Sequence, residues 1–226
     1  MAGAGPAGPP AAPAPPDATA PLLIACALGI ERLALRGGDH SGARGPVTVL
    51  RTRMGPVNAE RAVRAALTGD ALRHAAVVAS GFCAGLAPGM HPGDVVVAGE
   101  TRGGDGSPVV CTDTGRLADA VARALPGHRV HRGPLTGSDH VVRGPERAEL
   151  LATGAIAADM ESAATLRTAL AAGPRAVAAV RVVVDAPEHE LVRIGTVRGG
   201  ISAFRVLRAV LPALHEWHRS LLLPRR

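Results

Sequence analysis

The chain has 226 residues, a net charge of +6 and 25 basic side chains, every one of them arginine. Without lysine, a Schiff-base mechanism and a phosphate-binding P-loop are both excluded. A basic balance can point to nucleic acid, but the arginines are scattered, and a nucleic-acid footprint is clustered. No nucleic-acid partner is therefore expected; the arginine excess fits the Ala/Gly/Pro-rich bias of the whole chain. Hydrophobic residues make up 47%, with two Phe, one Trp and no Tyr, so the core must be aliphatic. Cys26, Cys83 and Cys111 are odd in number and form no CxxC pair, which argues against a disulfide framework and fits a reducing cytoplasm. The nine His show no HxxxH or HExxH spacing, so no metal site is expected.

In chain order, residues 1–20 are Ala/Pro-rich. They read as a disordered or polyproline-like tail ahead of one domain over 21–226. The tail has no basic n-region, so it does not read as a signal peptide. Its GxGxxG match at Gly3, Gly5 and Gly8 lacks the strand and helix that a dinucleotide site requires. Short apolar runs predict strands at 22–28, 47–51, 75–80, 94–98 and 176–184. Helices are expected at 58–68 (Asn58 as N-cap, Gly69 as C-cap), 115–125, about 144–152, Met160 to about Ala172, and about 201–222. A Gly-bearing turn is read at Gly81–Gly85 and a loop around Thr136–Val142. The alternation predicts a single-domain, three-layer α/β/α fold around a central mixed, largely parallel sheet. The last helix shows Phe204, Leu207, Val210, Leu211, Leu214, Trp217 and Leu221 at helical spacing, with Arg205, Arg208, His215 and Arg219 opposite. It reads either as a helix packed on the sheet or as a surface that also touches membrane lipid.

Ligands of such sheets bind at the carboxyl ends of the strands, which is where Glu31, Ser80–Gly85, Asp159–Glu161 and Asp185 are expected. Each carboxylate also has a plain structural explanation, since acidic residues favour first helical turns and strand ends. Cleaving a purine N-glycoside would use such a set. One carboxylate accepts from two vicinal ribose hydroxyls, a second group helps the base leave at N7, and a third positions water or phosphate at the anomeric carbon.

Three segments together resemble the nucleoside phosphorylase and nucleosidase superfamily, over about residues 22–222. They are Ser80–Pro88 followed by Pro92–Val97, then Ala158-Asp159-Met160-Glu161-Ser162-Ala163, then Arg181–Asp185. The resemblance implies that Glu161 binds the ribose hydroxyls with Met160 against the sugar, and that Asp185 is the general acid toward N7. The Asp there also implies a 6-amino purine. Ala27–Glu31 resembles the first-strand turn of the methylthioadenosine/adenosylhomocysteine nucleosidases, which makes Glu31 the residue that orients the attacking water. Phe82, Cys83, Ala84 and Gly85 would line the nucleophile pocket, and His140, Val141 and Asp159 the base pocket. Phe82 and Cys83 stand where the family has small residues. Arg51–Pro56 resembles the family's Gly-Met-Gly turn with Arg at a Gly position, so Arg51 or Arg53 could reach a phosphate co-substrate or could be a surface pair.

Among subfamilies, Gly137-Ser138-Asp139, Asp159–Ser162 and the long segment 188–222 are most similar to hopanoid-associated phosphorylase-like proteins. That implies release of adenine from adenosylhopane, by hydrolysis or phosphorolysis, without a cofactor, in the cytoplasm or at a membrane surface. The alternatives are a methylthioadenosine/adenosylhomocysteine nucleosidase or futalosine hydrolase and, in another class, a non-catalytic nucleoside-binding protein. A homodimer is implied, with the apolar face of 58–68 as one surface for it.

Overall fold

The computed structural model describes residues 20–104, 107–187 and 197–223. The expected tail, apart from Ala20, lies outside the described residues, as does much of 188–222 ahead of the last helices.

Eight strands form one mixed sheet: β1 (Leu22–Cys26), β2 (Val47–Arg51), β3 (Ala76–Gly85), β4 (Val95–Arg102), β5 (Pro108–Val110), β6 (Val130–Gly137), β7 (Ala157–Asp159) and β8 (Val177–Asp185). The sheet runs β2-β1-β3-β7-β6-β4-β5, and β8 pairs with both β3 and β4. Five of the eight pairings are parallel; β3–β7, β4–β5 and β4–β8 are antiparallel. The ring β3-β7-β6-β4-β8 thus closes on itself, a closure that the pattern of apolar runs does not announce.

β1 shows why both faces must be covered. Leu22, Ile24 and Cys26 enter one core with residues of α1 (Gly29–Arg36), α3 (Thr114–Ala124), α6 (Val197–Ala209) and α7 (Leu211–Leu221). Leu23 and Ala25 enter the other with α2 (Pro56–Leu67) and α5 (Ser162–Ala171). Strand side chains alternate between faces, so a strand apolar at every position belongs between two layers. The short α4 (Glu146–Ala152) packs Leu150 and Leu151 on a third, smaller cluster with Leu86, Val142, Ala155 and Ala158.

Several boundaries move for physical reasons. The segment Gly81–Gly85 is a continuation of β3 and not a turn: Gly81–Ala84 pair with β8, with a register shift after Cys83, and Ala84 and Gly85 pair with β7. The helix expected from Asn58 starts at Pro56, with Gly55 as its N-cap and Thr68, not Gly69, closing it. Proline is suited to a first helical turn because its missing N–H has no partner there. The single helix expected over 201–222 is two, broken at Val210, with Pro212 in the first turn of α7. Pro212 cannot donate to the carbonyl four residues back, which interrupts the ladder.

The apolar face of these helices is core: Leu207, Val210, Leu211, Leu214 and Trp217 are all fully buried. The face read as able to meet lipid is therefore taken up by the core, and no described helix is long and apolar enough to cross a membrane.

His215, read from the sequence as part of a solvated basic face, is 1% exposed. Its Nε2 lies 3.2 Å from Nδ1 of His40, and Nε2 of His40 lies 2.9 Å from the Leu35 carbonyl. Burial first, then His40 and His218, pushes His215 down to about 4. Folding therefore favours the neutral ring. The stability it contributes is complete above pH 6.5 and is lost as the pH falls from there toward 4, by an amount on the order of 2–3 kcal/mol. The melting temperature should fall steeply over that window and fall less in His215→Gln; parallel curves for the two proteins would show that His215 is not the titrating group.

Candidate active site

The site is assembled at the carboxyl ends of β1, β3, β7 and β8. A cavity of about 200 Å³ is lined by Ala27, Leu28, Glu31, Met54, Phe82, Cys83, Ala84, Ser138, His140, Val141, Val142, Ala158, Asp159, Met160, Glu161 and Val184. Most of the expected site residues are therefore brought to one place.

Glu31 is the third residue of α1 and is 2% exposed. Its Oε2 accepts from the backbone N–H of Ala27 at 2.9 Å and of Leu28 at 2.7 Å. Its Oε1 accepts from the N–H of Phe82 at 2.7 Å. The amide of Phe82 thus serves Glu31 and not the nucleophile directly. A carboxylate has about four acceptor positions. Three amides take three, leaving one that can accept from a water in the cavity. Burial raises the Glu31 carboxyl, against the opposing pull of Arg181 and the three amides. The glycine at 81 is required by proximity: a Cβ there would come within 2.5 Å of Glu31 Oε1 and 2.7 Å of Arg181 Nη1.

Glu161 is the N-cap of α5 and not a member of its first turn. Its Oε1 accepts at 2.8 Å from the N–H of Gly55, in the turn that resembles the family's Gly-Met-Gly segment. Gly55 has φ 92°, a conformation that a side chain would strain. Asp159, at the end of β7, caps the same helix: it accepts from the Ser162 N–H at 3.1 Å and the Ser162 hydroxyl at 2.7 Å. Burial, then the neighbouring charge of Asp159, pushes Glu161 up to about 7, with Arg181 opposing.

Arg181 in β8 is the member that sequence reasoning passed over. It is 1% exposed; its Nη2 lies 2.5 Å from Asp159 Oδ2, and its Nε donates to the Ser162 hydroxyl at 2.9 Å. The charges of Asp159, Glu161 and Glu31 all act on it. The available signal was a lone arginine inside the most β-branched run of the chain, since a buried charge demands partners.

Four of the expected site residues do not line the cavity. Arg51 and Arg53 are exposed and do not line the cavity. The Arg51 guanidinium lies beside Gly29 at the start of α1, while Met54 and the Gly55 amide are what this turn delivers to the site. Gly85 is also absent from the lining; its carbonyl accepts from Arg147 Nη1 at 2.9 Å. Asp185 does not line the cavity either: its neighbour Val184 does, while Asp185 Oδ2 is ion-paired with Arg147 Nη2. Cys83 does line it, but burial pushes its thiol far up, so it is not a thiolate nucleophile.

His140 stands at the mouth, its Nδ1 2.6 Å from Asp139 Oδ1 and its Nε2 3.0 Å from Glu146. Hydrogen bonds to those carboxylates raise it above the ordinary imidazole value. Among the described residues no group of three His, Cys, Asp or Glu could hold a metal ion.

A family model of the phosphorylase superfamily matches residues 38–212. The chain belongs to that superfamily, and with it to the enzymes that are nucleosidases or nucleoside phosphorylases. Solved structures of the same fold include the 5′-methylthioadenosine/S-adenosylhomocysteine nucleosidase of Neisseria meningitidis in complex with methylthio-immucillin-A: TM-score 0.69, 20% identity, covering 85% of this chain and 98% of that one. The S-adenosylhomocysteine nucleosidase of Streptococcus pyogenes, in complex with 5-methylthiotubericidin, is similar with TM-score 0.69, 18% identity and coverage of 88% and 99%. The futalosine hydrolase of Helicobacter pylori is similar with TM-score 0.72, 17% identity and coverage of 88% and 98%. No curated protein matches the chain in sequence.

Glu161 links stability to activity. Its raised value means that folding favours the protonated form, so stability held below pH 4.5 is lost as the pH rises through about 7. At pH 8, Glu161→Gln should melt at a higher temperature than the parent chain, and at pH 4 the two should coincide. If Glu161 holds two ligand hydroxyls, as the sequence resemblance implies, the same substitution lowers kcat/KM roughly 10–100-fold, the worth of charge-assisted bonds. Equal melting at both pH values would mean that Glu161 is not destabilised by burial.

Proposed function

We infer that the chain hydrolyses the N-glycosidic bond of a 6-amino purine nucleoside with a large 5′ substituent, releasing adenine. The observation that carries this reading is the pair of buried carboxylates, Glu31 and Glu161, lining one cavity, each oriented by backbone amides. In this mechanism Glu161 accepts from the ribose 2′- and 3′-hydroxyls, with Met160 against the sugar. Val141, Val142 and Phe82 enclose the base. Asp185, one residue beyond the lining Val184, is the group assigned to give a proton to N7 as the bond from C1′ to N9 breaks, which requires its side chain to turn from Arg147 toward the cavity. Glu31 orients a water onto C1′ and takes the proton it sheds, which returns to Asp185 through solvent. One water is consumed and no cofactor is needed. The position of Arg51 and Arg53 outside the cavity favours water over phosphate.

The 5′ substituent has room. A wider groove of about 550 Å³ shares Ser138, His140 and Met160 with the cavity. Its walls include Gly103, Gly104, Gly137, Ala163, Ala164 and Leu150, which suit a bulky apolar group such as the hopane of adenosylhopane. A second reading has its own support: Glu60, Arg64, Glu146 and Arg167 also border the groove, and charges of both signs suit the amino-acid end of adenosylhomocysteine. The apolar face of 58–68, expected as a homodimer surface, is taken up by the core, with Val63 and Leu67 buried there; a homodimer through α2 would use its outer face, where Val57 is 65% exposed.

Adenine release should be measured from adenosylhopane, methylthioadenosine and adenosylhomocysteine, and hypoxanthine release from futalosine, each with and without phosphate. The expected result is turnover of at least one at a rate independent of phosphate. A strict phosphate requirement would replace hydrolysis by phosphorolysis, and failure on the three adenine nucleosides, with or without turnover of futalosine, would overturn the assignment of a 6-amino purine nucleoside. Turnover of methylthioadenosine but not adenosylhopane would remove the hopanoid reading.

A further inference from the structure

The outer side of α1 is the reverse of an ordinary surface helix. The helix buries Glu31, Ala34 and Leu35. At 3.6 residues per turn, Leu33 stands opposite these, with Arg32 and Arg36 to one side of it and Ile30 to the other. All four are exposed, Leu33 by 64%. At the end of edge strand β2, the Arg51 guanidinium lies 3.8 Å from where a Cβ of Gly29 would stand, which joins that strand end to the helix face. Two residues on, Arg53 has φ 71°, a conformation that residues with a side chain seldom adopt. It is followed by Met54, which is exposed and also lines the cavity. The apolar and basic surface therefore runs from α1 up to the cavity mouth.

Between residues 28 and 57 the exposed charges are five arginines, Arg32, Arg36, Arg44, Arg51 and Arg53, against one carboxylate, Asp39. We propose that this face docks on an anionic lipid bilayer, with Ile30, Leu33 and Met54 entering the headgroup region and the arginines meeting lipid phosphates. A nucleic acid would match the arginines and leave Ile30 and Leu33 in water. A second copy of the chain would set five arginines against five more, and like charges across an interface oppose binding. A bilayer with anionic headgroups satisfies both halves of the surface: it draws in the arginines within a Debye length and accepts apolar side chains at its interface. Docking in this way sets the cavity mouth at the membrane. The inference stands apart from the nucleosidase reading, because lipid binding is measured without substrate.

The test is co-sedimentation of the full chain with vesicles of phosphatidylcholine alone and of phosphatidylcholine with one-third phosphatidylglycerol, in low salt. The parent should bind the anionic vesicles at least about tenfold more tightly, with binding that weakens as salt is added. The pair Arg32→Gln and Arg36→Gln should lower that affinity about 25-fold, roughly fivefold for each arginine at the surface. A control pair, Arg116→Gln and Arg129→Gln, removes the same charge from exposed positions on α3 and ahead of β6, and should leave affinity within about twofold of the parent. Leu33→Ser keeps every charge and should cost about tenfold, the worth of a partly buried leucine. Sedimentation velocity of the parent and Leu33→Ser in buffer should show the same oligomeric state.

Absence of vesicle binding, or equal binding to both vesicles, would overturn the proposal. So would equal losses in the two arginine pairs, which would leave only the net charge of the chain. Parental affinity in Leu33→Ser would remove the bilayer in favour of a purely electrostatic contact. A parent dimer that Leu33→Ser dissociates would give the face to a second copy. None of these outcomes bears on glycoside cleavage, which is read separately from base release.

Discussion

A single buried guanidinium organises this site. Arg181 contacts Asp159 and Ser162 directly, and its charge acts on Glu31 and Glu161 as well. Burying one carboxylate without a partner costs several kcal/mol, and here three of them surround one cavity. Arg181 offsets part of that cost, and backbone amides offset more: Ala27, Leu28 and Phe82 for Glu31, Gly55 for Glu161. The balance is incomplete, which is why both glutamates remain raised. Perturbed carboxylates of this kind cluster at functional sites.

The closed ring of strands explains how the charges come together. β8 lies between β3 and β4, so Arg181 is paired in register with Gly81. Only a residue without a Cβ leaves space there for both the Arg181 guanidinium and the Glu31 carboxylate. β3 passes Gly81 to reach Phe82, whose amide completes the cradle of Glu31. The fold delivers the carboxylates from α1 and from the start of α5, and β8 supplies the countercharge. Arg147 repeats the arrangement on a smaller scale at the far ends of β3 and β8.

Much of this was legible in the sequence. The buried strands, being continuous apolar runs, announced themselves, and Glu31, Met160, Glu161 and His140 all reach the cavity. What was not legible had local reasons. β6 carries Gly133 and Pro134, residues that argue against a central strand; the register of β4 against it shifts between Ala98 and Glu100, opposite that pair, which accommodates them. β7 is three residues, two of them Ala, and has no propensity signal to offer. α1 was hidden by a short segment with exposed Ile30 and Leu33. Arg181 and Arg147 were invisible because an arginine looks the same in a sequence whether it is solvated or buried. Of the two readings open for Arg51 and Arg53, phosphate ligands or a surface pair, their exposure fits the second.

The account stands or falls on Arg181, and the most direct measurement is the turnover of a folded Arg181→Lys variant on whichever nucleoside the parent cleaves. Lysine keeps the positive charge but cannot span Asp159 and Ser162 with a planar fork. The account predicts a chain that folds, shown by an unchanged circular-dichroism spectrum, with kcat/KM lower by on the order of 10²-fold as the carboxylates lose their alignment. A folded Arg181→Lys chain with parental kcat/KM would contradict it.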